Sequence, residues 1–114
     1  MNKNEFLAEL KANPQGIEFE QTMAVIDAHY TFSAADFTNG EVQNAAGQNN
    51  GSAKILAFGI EEGLSEQDTL HCFGRFYRQD VLQHPDNDDH QNIRNFIRFG
   101  WQGVSFTAPV LTGK

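Results

Sequence analysis

Cys72 is the only thiol in this chain, and His71 beside it is a base of the kind that activates nucleophiles. Consecutive residues of a helix point about 100° apart, so the two do not pair readily if the segment is helical. Cys72 shares a helix face with Phe76 one turn on. The expectation is therefore a small buried apolar group rather than a reactive thiol, since free cysteine packs among hydrophobes unless nearby charge lowers its pKa. A second cluster lies at Asn44, Gln48, Asn49, Ser52 and Lys54 within NAAGQNNGSAK. Glycines there free backbone N–H groups, and a helix starting nearby would offer an anion the positive end of its dipole. Gly51-Ser52-Ala53-Lys54 departs from the Gly-Lys-Ser/Thr of a P-loop, so a structured turn is the plainer expectation. Amides both donate and accept, and these either fix a polar ligand without charge or only satisfy one another and the loop.

The third cluster is His90, Asn92, Arg94 and Arg98. The two arginines stand four residues apart on one helix face, where they can grip a carboxylate or phosphate, or pair with the protein's own acids. Four arginines between Arg75 and Arg98 could also make a local positive patch. The run Asp86-Asn87-Asp88-Asp89 offers oxygen ligands to calcium, but an EF-hand needs glycine sixth and glutamate twelfth, and counting from Asp86 finds Gln91 and Ile97. Asp88 or Asp89 is expected to cap the last helix instead. His29, His71, His84 and His90 lack zinc-site spacing, so neither metal nor cofactor is expected. Nucleophile-elbow, HExxH and dinucleotide patterns are also missing.

The elements that would position these groups follow from periodicity. Phe6, Leu7 and Leu10 mark a short amphipathic helix that stops at Asn13-Pro14. Phe19, Met23, Ile26 and Tyr30 line one side of a second helix beginning near Ile17. Ser33 and Asp36 read as the start of a brief helical turn through Phe37, ended by Asn39-Gly40. From Gly40 to Ser52 turns prevail, with a short strand around Val42. Ala53–Ile60 reads as a buried helix capped by Ser52, with a buried strand as the alternative. Ser65 and Asp68 cap a helix whose face is Leu70, Phe73, Tyr77 and Val81, running to about Leu82. The last helix carries Ile93, Phe96 and Ile97 and ends at Gly100; Trp101–Phe106 reads as extended, and residues beyond Pro109 as frayed. The expected fold class is mainly α with a small β component, α+β, with about five helices and one or two short strands.

At 114 residues the chain is read as one domain, residues 1–114, large enough for a modest core. Ten phenylalanines and one tryptophan supply apolar volume that a disordered chain lacks. A net charge of −7 disfavours nucleic acid and anionic membrane surfaces, because both are bound through lysine and arginine. One cysteine excludes an internal disulfide and points weakly to a reducing compartment. The first eleven residues hold no apolar run resembling a signal peptide, and no stretch reaches the length of a membrane span. A soluble protein is expected.

Taken in order, IDAHYTF with Phe37 and Asn39-Gly40, NAAGQNNGSAK, TLHCFGRFYRQDVL and DDHQNIRNFIRFGWQG resemble the HopJ family of type III effectors over nearly the whole chain. The resemblance implies a bacterial origin and no particular catalytic mechanism. Type III export signals are commonly serine-rich and poor in acids, whereas Glu5 and Glu9 stand here on an apparent helix. The expected location is the bacterial cytoplasm, with type III delivery into a host cell as the alternative. Two functions are carried forward. One is a small binding or interaction protein that takes an unknown protein or small polar ligand on Asn44, Asn49, Ser52, Lys54, His90, Asn92 and Arg94. The other is a small hydrolase or transferase in which His90 or His71 acts as base beside Asn49, Ser52 or Cys72.

Overall fold

In a computed structural model that describes residues 1–114, helices carry most of the chain and five short strands tie their ends together. Helix α1 (Lys3–Ala12) starts at Asn2, whose side chain accepts from the Glu5 amide at 2.8 Å while the Glu5 carboxylate accepts from the Asn2 amide at 3.1 Å. This reciprocal capping satisfies amides that a helix start leaves open. Phe6 and Leu10 form its buried face, and it stops at Asn13, just before Pro14 opens a 3₁₀ turn (Pro14–Gly16). Helix α2 (Phe19–His29) starts two residues later than the periodicity predicted and buries Thr22, Val25 and Ile26.

Tyr30 leaves the helix to open strand β1 (Tyr30–Phe32) yet stays buried, so its hydrophobic spacing marked the core correctly and the element wrongly. The brief helical turn through Phe37 is not formed. Strand β2 (Phe37–Asn39) stands there and turns through Gly40-Glu41 into β3 (Val42–Asn44), the strand expected around Val42. Long-range pairing overrides the local cap signal, because β4 (Val104–Phe106) closes on the other side of β2 in a β3-β2-β4 antiparallel sheet. Phe37 and Phe106 are register partners in that sheet, and their rings stack 5.0 Å apart.

Ala53–Ile60 is helical, within α3 (Asn50–Glu62), and Ile55, Leu56 and Phe58 are fully buried at the centre of the core. The start lies three residues earlier than read: Asn49, not Ser52, occupies the cap position. Ser65 does cap α4 (Glu66–His71), its hydroxyl accepting from the Asp68 amide at 3.1 Å. The helix expected to continue to Leu82 breaks at Cys72–Gly74 and resumes as a π-helical segment (Phe76–Val81). Gly74 has φ +62, and a β-carbon there would lie 2.6 Å from the Phe19 backbone nitrogen. The break thus lets the chain reverse against the start of α2 where a side chain does not fit. Helix α5 (Gln91–Phe99) ends at Gly100 as expected. The acid caps foreseen for it do not form. His90 holds the cap position, and Asp89 turns its carboxylate to Arg94.

Of Trp101–Phe106 only the second half is extended, a 3₁₀ turn (Gly100–Gly103) taking the first. The end of the chain is ordered rather than frayed: β5 (Leu111–Gly113) pairs antiparallel with β1, and Val110 and Leu111 are buried. The α+β class holds, with five α-helices and more strands than foreseen. No helix is long and apolar enough to cross a membrane.

Candidate functional site

The starts of α3 and α5 face one cavity of about 340 Å³. Asn49, Gly51 and Ser52 line it from α3, and His90, Gln91, Asn92 and Ile93 from α5. Phe19, Phe73, Phe76 and Val42 complete an apolar wall, in which Phe19 and Phe76 meet edge to face at 5.1 Å. No carboxylate, lysine or arginine lines the space.

Both helices enter it without a side-chain cap. Asn49 (φ +53) and His90 (φ +50) are the two non-glycine residues of the chain in the left-handed region, and each stands immediately before a helix start. Asparagine and histidine visit that region more easily than other side chains, but strain of about 1–2 kcal/mol per residue remains. The amides of Asn50, Gly51 and Ser52, and of Gln91 and Asn92, have no acceptor in the protein, since the first intrahelical bonds come from Ala53 and Ile93. Free N–H groups at two helix starts bring positive partial charge to this cavity without a cationic side chain.

Behind the cavity lies a network of buried amides. Asn92 Nδ2 donates to Asn44 Oδ1 at 3.0 Å, and Asn49 Nδ2 donates to the same oxygen at 2.6 Å. Asn39 Nδ2 donates to the Asn92 carbonyl at 2.7 Å and to its Oδ1 at 3.1 Å. These bonds lock the hairpin β2–β3 to the starts of both helices. Asn39 Oδ1 is fully buried without a partner, which makes this network one in which any further loss is costly.

His90 is oriented by a residue the sequence reading missed. Its Nε2 lies 3.0 Å from Asp80 Oδ2, on the π-helical segment, and its ring leans on Phe76 at 5.2 Å. Ten residues and the Pro85 turn separate Asp80 from His90, so no local spacing signals the pair. Phe19 and Phe73 fall on apolar helix faces in the sequence, and Phe76 on the side of Cys72, but apolar periodicity does not tell a cavity wall from a packed interior.

Of the residues proposed from sequence, Asn49, Ser52, His90 and Asn92 line the cavity and Asn44 braces it from behind. Lys54 and Arg94 stand outside. Lys54 Nζ is 2.8 Å from Asp27 and sits over the Phe32 ring. Arg94 bonds Asp89 at 2.6 Å and the carbonyls of Asp89, Pro85 and Asp80. That guanidinium holds the Asp89 carboxyl below its usual range. Arg75 pairs with Glu20 and Arg98 with Glu41, so the positive patch foreseen between Arg75 and Arg98 is neutralised at three of its four members.

Cys72 is fully buried, and burial pushes its thiol up to about 12. It supplies no thiolate. Ser52 lines the cavity with His90, but neither its hydroxyl nor the Cys72 sulfur is hydrogen-bonded to an imidazole. The His71 ring is engaged by Gln67 and Arg78. No group of three or more His, Cys, Asp or Glu residues is placed to hold a metal ion.

A family model described as HopJ type III effector protein matches residues 3–111. The crystal structure of an unknown function protein, VPA0580, resembles this one with a TM-score of 0.99 and 56% sequence identity, covering 100% of this chain and 95% of that one. No curated protein matches.

Proposed function

We propose, for a chain that belongs to the HopJ type III effector family, that it is a small-ligand-binding protein whose cavity takes a compact anion such as a carboxylate or phosphate ester. One observation carries this reading: two uncapped helix starts open on a single cavity free of acidic side chains. The free amides of Asn50, Gly51, Ser52, Gln91 and Asn92 would receive the anionic head. The three phenylalanines would cover an apolar or aromatic remainder, and Asn49, Ser52 and His90 would bond its polar edges. A partner for the head group is thereby present in the backbone itself.

The Asp80–His90 hydrogen bond would suit an enzyme, but no activated nucleophile stands beside it, so the geometry favours binding. Its place of action is read as the bacterial cytoplasm, because Glu5 and Glu9 belong to a capped helix that is packed into the fold through Phe6 and Leu10.

Titration of the ¹⁵N-labelled protein with inorganic phosphate, phenyl phosphate and benzoate tests the ligand reading. The amides of residues 50–52 and 91–92 should shift first, and phenyl phosphate should bind more tightly than inorganic phosphate. Gly51→Ala places a β-carbon 3.0 Å from Phe19 Cζ and should weaken phenyl phosphate binding by about tenfold or more, as the ring is pushed into the cavity. Shifts confined to Lys and Arg surfaces, or none at the two helix starts, would refute the site.

A further inference from the structure

Arg78 is a cation with no carboxylate partner in an acidic protein. Its guanidinium donates to the carbonyls of Pro14 at 3.2 Å, Ile17, and His71 at 3.3 Å, and it approaches His71 Nδ1 at 3.3 Å. It therefore ties the 3₁₀ turn after α1 to the end of α4 and to the π-helical segment on which it sits. A guanidinium only donates, so Nδ1 of His71 is an acceptor and the ring proton sits on Nε2. The Gln67 amide nitrogen stands 3.2 Å from Nε2 and 3.0 Å from the Tyr77 hydroxyl, so that both ring nitrogens face donors; with the proton on Nε2, the Gln67 amide oxygen and nitrogen exchange places, the oxygen accepting from Nε2 and from the Tyr77 hydroxyl.

A second proton on His71 would set N–H against N–H and place two cations about 3.3 Å apart. The groups around the ring do not offset this. Asp68, on its own helix, pulls the other way but is already paired with Lys11 of α1 at 3.6 Å. The Pro14–Gly16 turn brings no titratable group, and Tyr77 offers its ring at 5.4 Å. From the helices that also pack on α4, Lys54 and Glu62 of α3 pair with Asp27 and Lys3, Glu61 is exposed, and Arg94 and Arg98 of α5 pair with Asp89 and Glu41.

We propose that the His71–Arg78 contact is an acid-sensitive latch: with His71 neutral, Arg78 moors the Pro14–Ile17 segment, and a proton on His71 releases it. Burial, and after it the Arg78 charge, already hold the imidazole below its usual value of 6.5. Because the folded ring binds its proton less tightly than the unfolded one, the fold keeps the full benefit of the neutral ring above about pH 6.5 and loses it as the pH falls. The moored segment leads into Phe19, and Phe73 and Phe76 lie in the stretch between His71 and Arg78 to which it is moored. Release would thus loosen the aromatic wall of the cavity. The latch itself does not depend on the ligand reading, which adds only that acid would weaken binding.

Amide hydrogen exchange of the intact protein without ligand, followed from about pH 7.5 down to about pH 5, tests it. In the wild type, protection at Gly16 and Ile17, corrected for intrinsic rates, should fall about tenfold or more while α3 amides keep theirs. His71→Asn keeps an acceptor near the Nδ1 position and cannot be protonated in this range, so its protection should stay level. An equal fall in the variant, no fall in the wild type, or a fall shared by α3 would overturn the latch. Should the variant fail to fold, the wild-type imidazole ¹⁵N titration decides. A His71 midpoint coinciding with the loss of protection supports the latch, and one that does not coincide overturns it.

Discussion

Cys72 and His71 are neighbours in sequence and opposites in environment. The thiol is sealed in the core beside Asp68, with its ionisation raised to about 12, while the imidazole is held between Gln67 and an arginine. A thiolate is the reactive species, so Cys72 should resist alkylation in the native state. With iodoacetamide at about pH 8 its labelling rate should follow global unfolding measured in urea; rapid labelling of the folded protein would contradict the burial. At the same scale the asparagines divide by role. Asn44 and Asn92 are buried hydrogen-bonding hubs, whereas Asn49 holds a strained backbone at a cavity mouth. Sequence brought Asn44, Asn49 and Asn92 to notice but could not separate these roles, because an amide that binds a neighbour and one that binds a ligand look alike until the neighbour is placed.

Between α4 and the π-helical segment a single glycine determines the path of the chain. The spacing Leu70, Phe73, Tyr77, Val81 fits one continuous helix, and all four side chains are indeed buried. The helix breaks because Gly74 adopts a left-handed conformation against the backbone of α2, a contact that no local pattern announces. Gly74→Ala should therefore destabilise the protein by about 2–4 kcal/mol, combining left-handed strain with the clash against Phe19. Gly63→Ala, also left-handed but with open space around the added carbon, should cost only about 1–2 kcal/mol. Urea midpoints for the two variants check the difference, and equal losses would show that the close approach to α2 contributes nothing. The same break turns Asp80 toward His90, so the irregular segment orients a cavity side chain as well as closing the core.

Over the whole molecule, the two ends of the chain are held by different means. The first helix is capped and packed through Phe6 and Leu10, and Lys3 and Tyr30 converge on Glu62, whose carboxylate raises the Tyr30 ionisation further after burial has raised it. The last residues close β1 and insert Val110 and Leu111 into the core. Removal of residues 110–114 should cost about 3–6 kcal/mol from those two side chains alone. A domain of this size is stable by about 5–15 kcal/mol, so the shortened chain should show a markedly lowered melting temperature. A melting curve unchanged by the truncation would mean that this strand is not part of the cooperative fold. The negative charge, prominent in the composition, leaves the cavity lining untouched: its acids lie outside, several in pairs with the arginines and lysines.

Periodicity, local backbone preference and motifs held in order were enough for the class of the fold, the core character of Cys72, the stop at Gly100 and the family, whereas Ala53–Ile60 stayed open between helix and strand until the fold settled it as helix. Tertiary structure alone decided where β2, β4 and β5 pair, where the helix after His71 breaks, and which polar residues meet. Asn49, Ser52, His90 and Asn92 converge since two helices far apart in the chain begin on the same side of the core, while Lys54 and Arg94 find acids nearer than the cavity. Those outcomes depend on distances between segments that only the folded chain sets, and local sequence does not encode them.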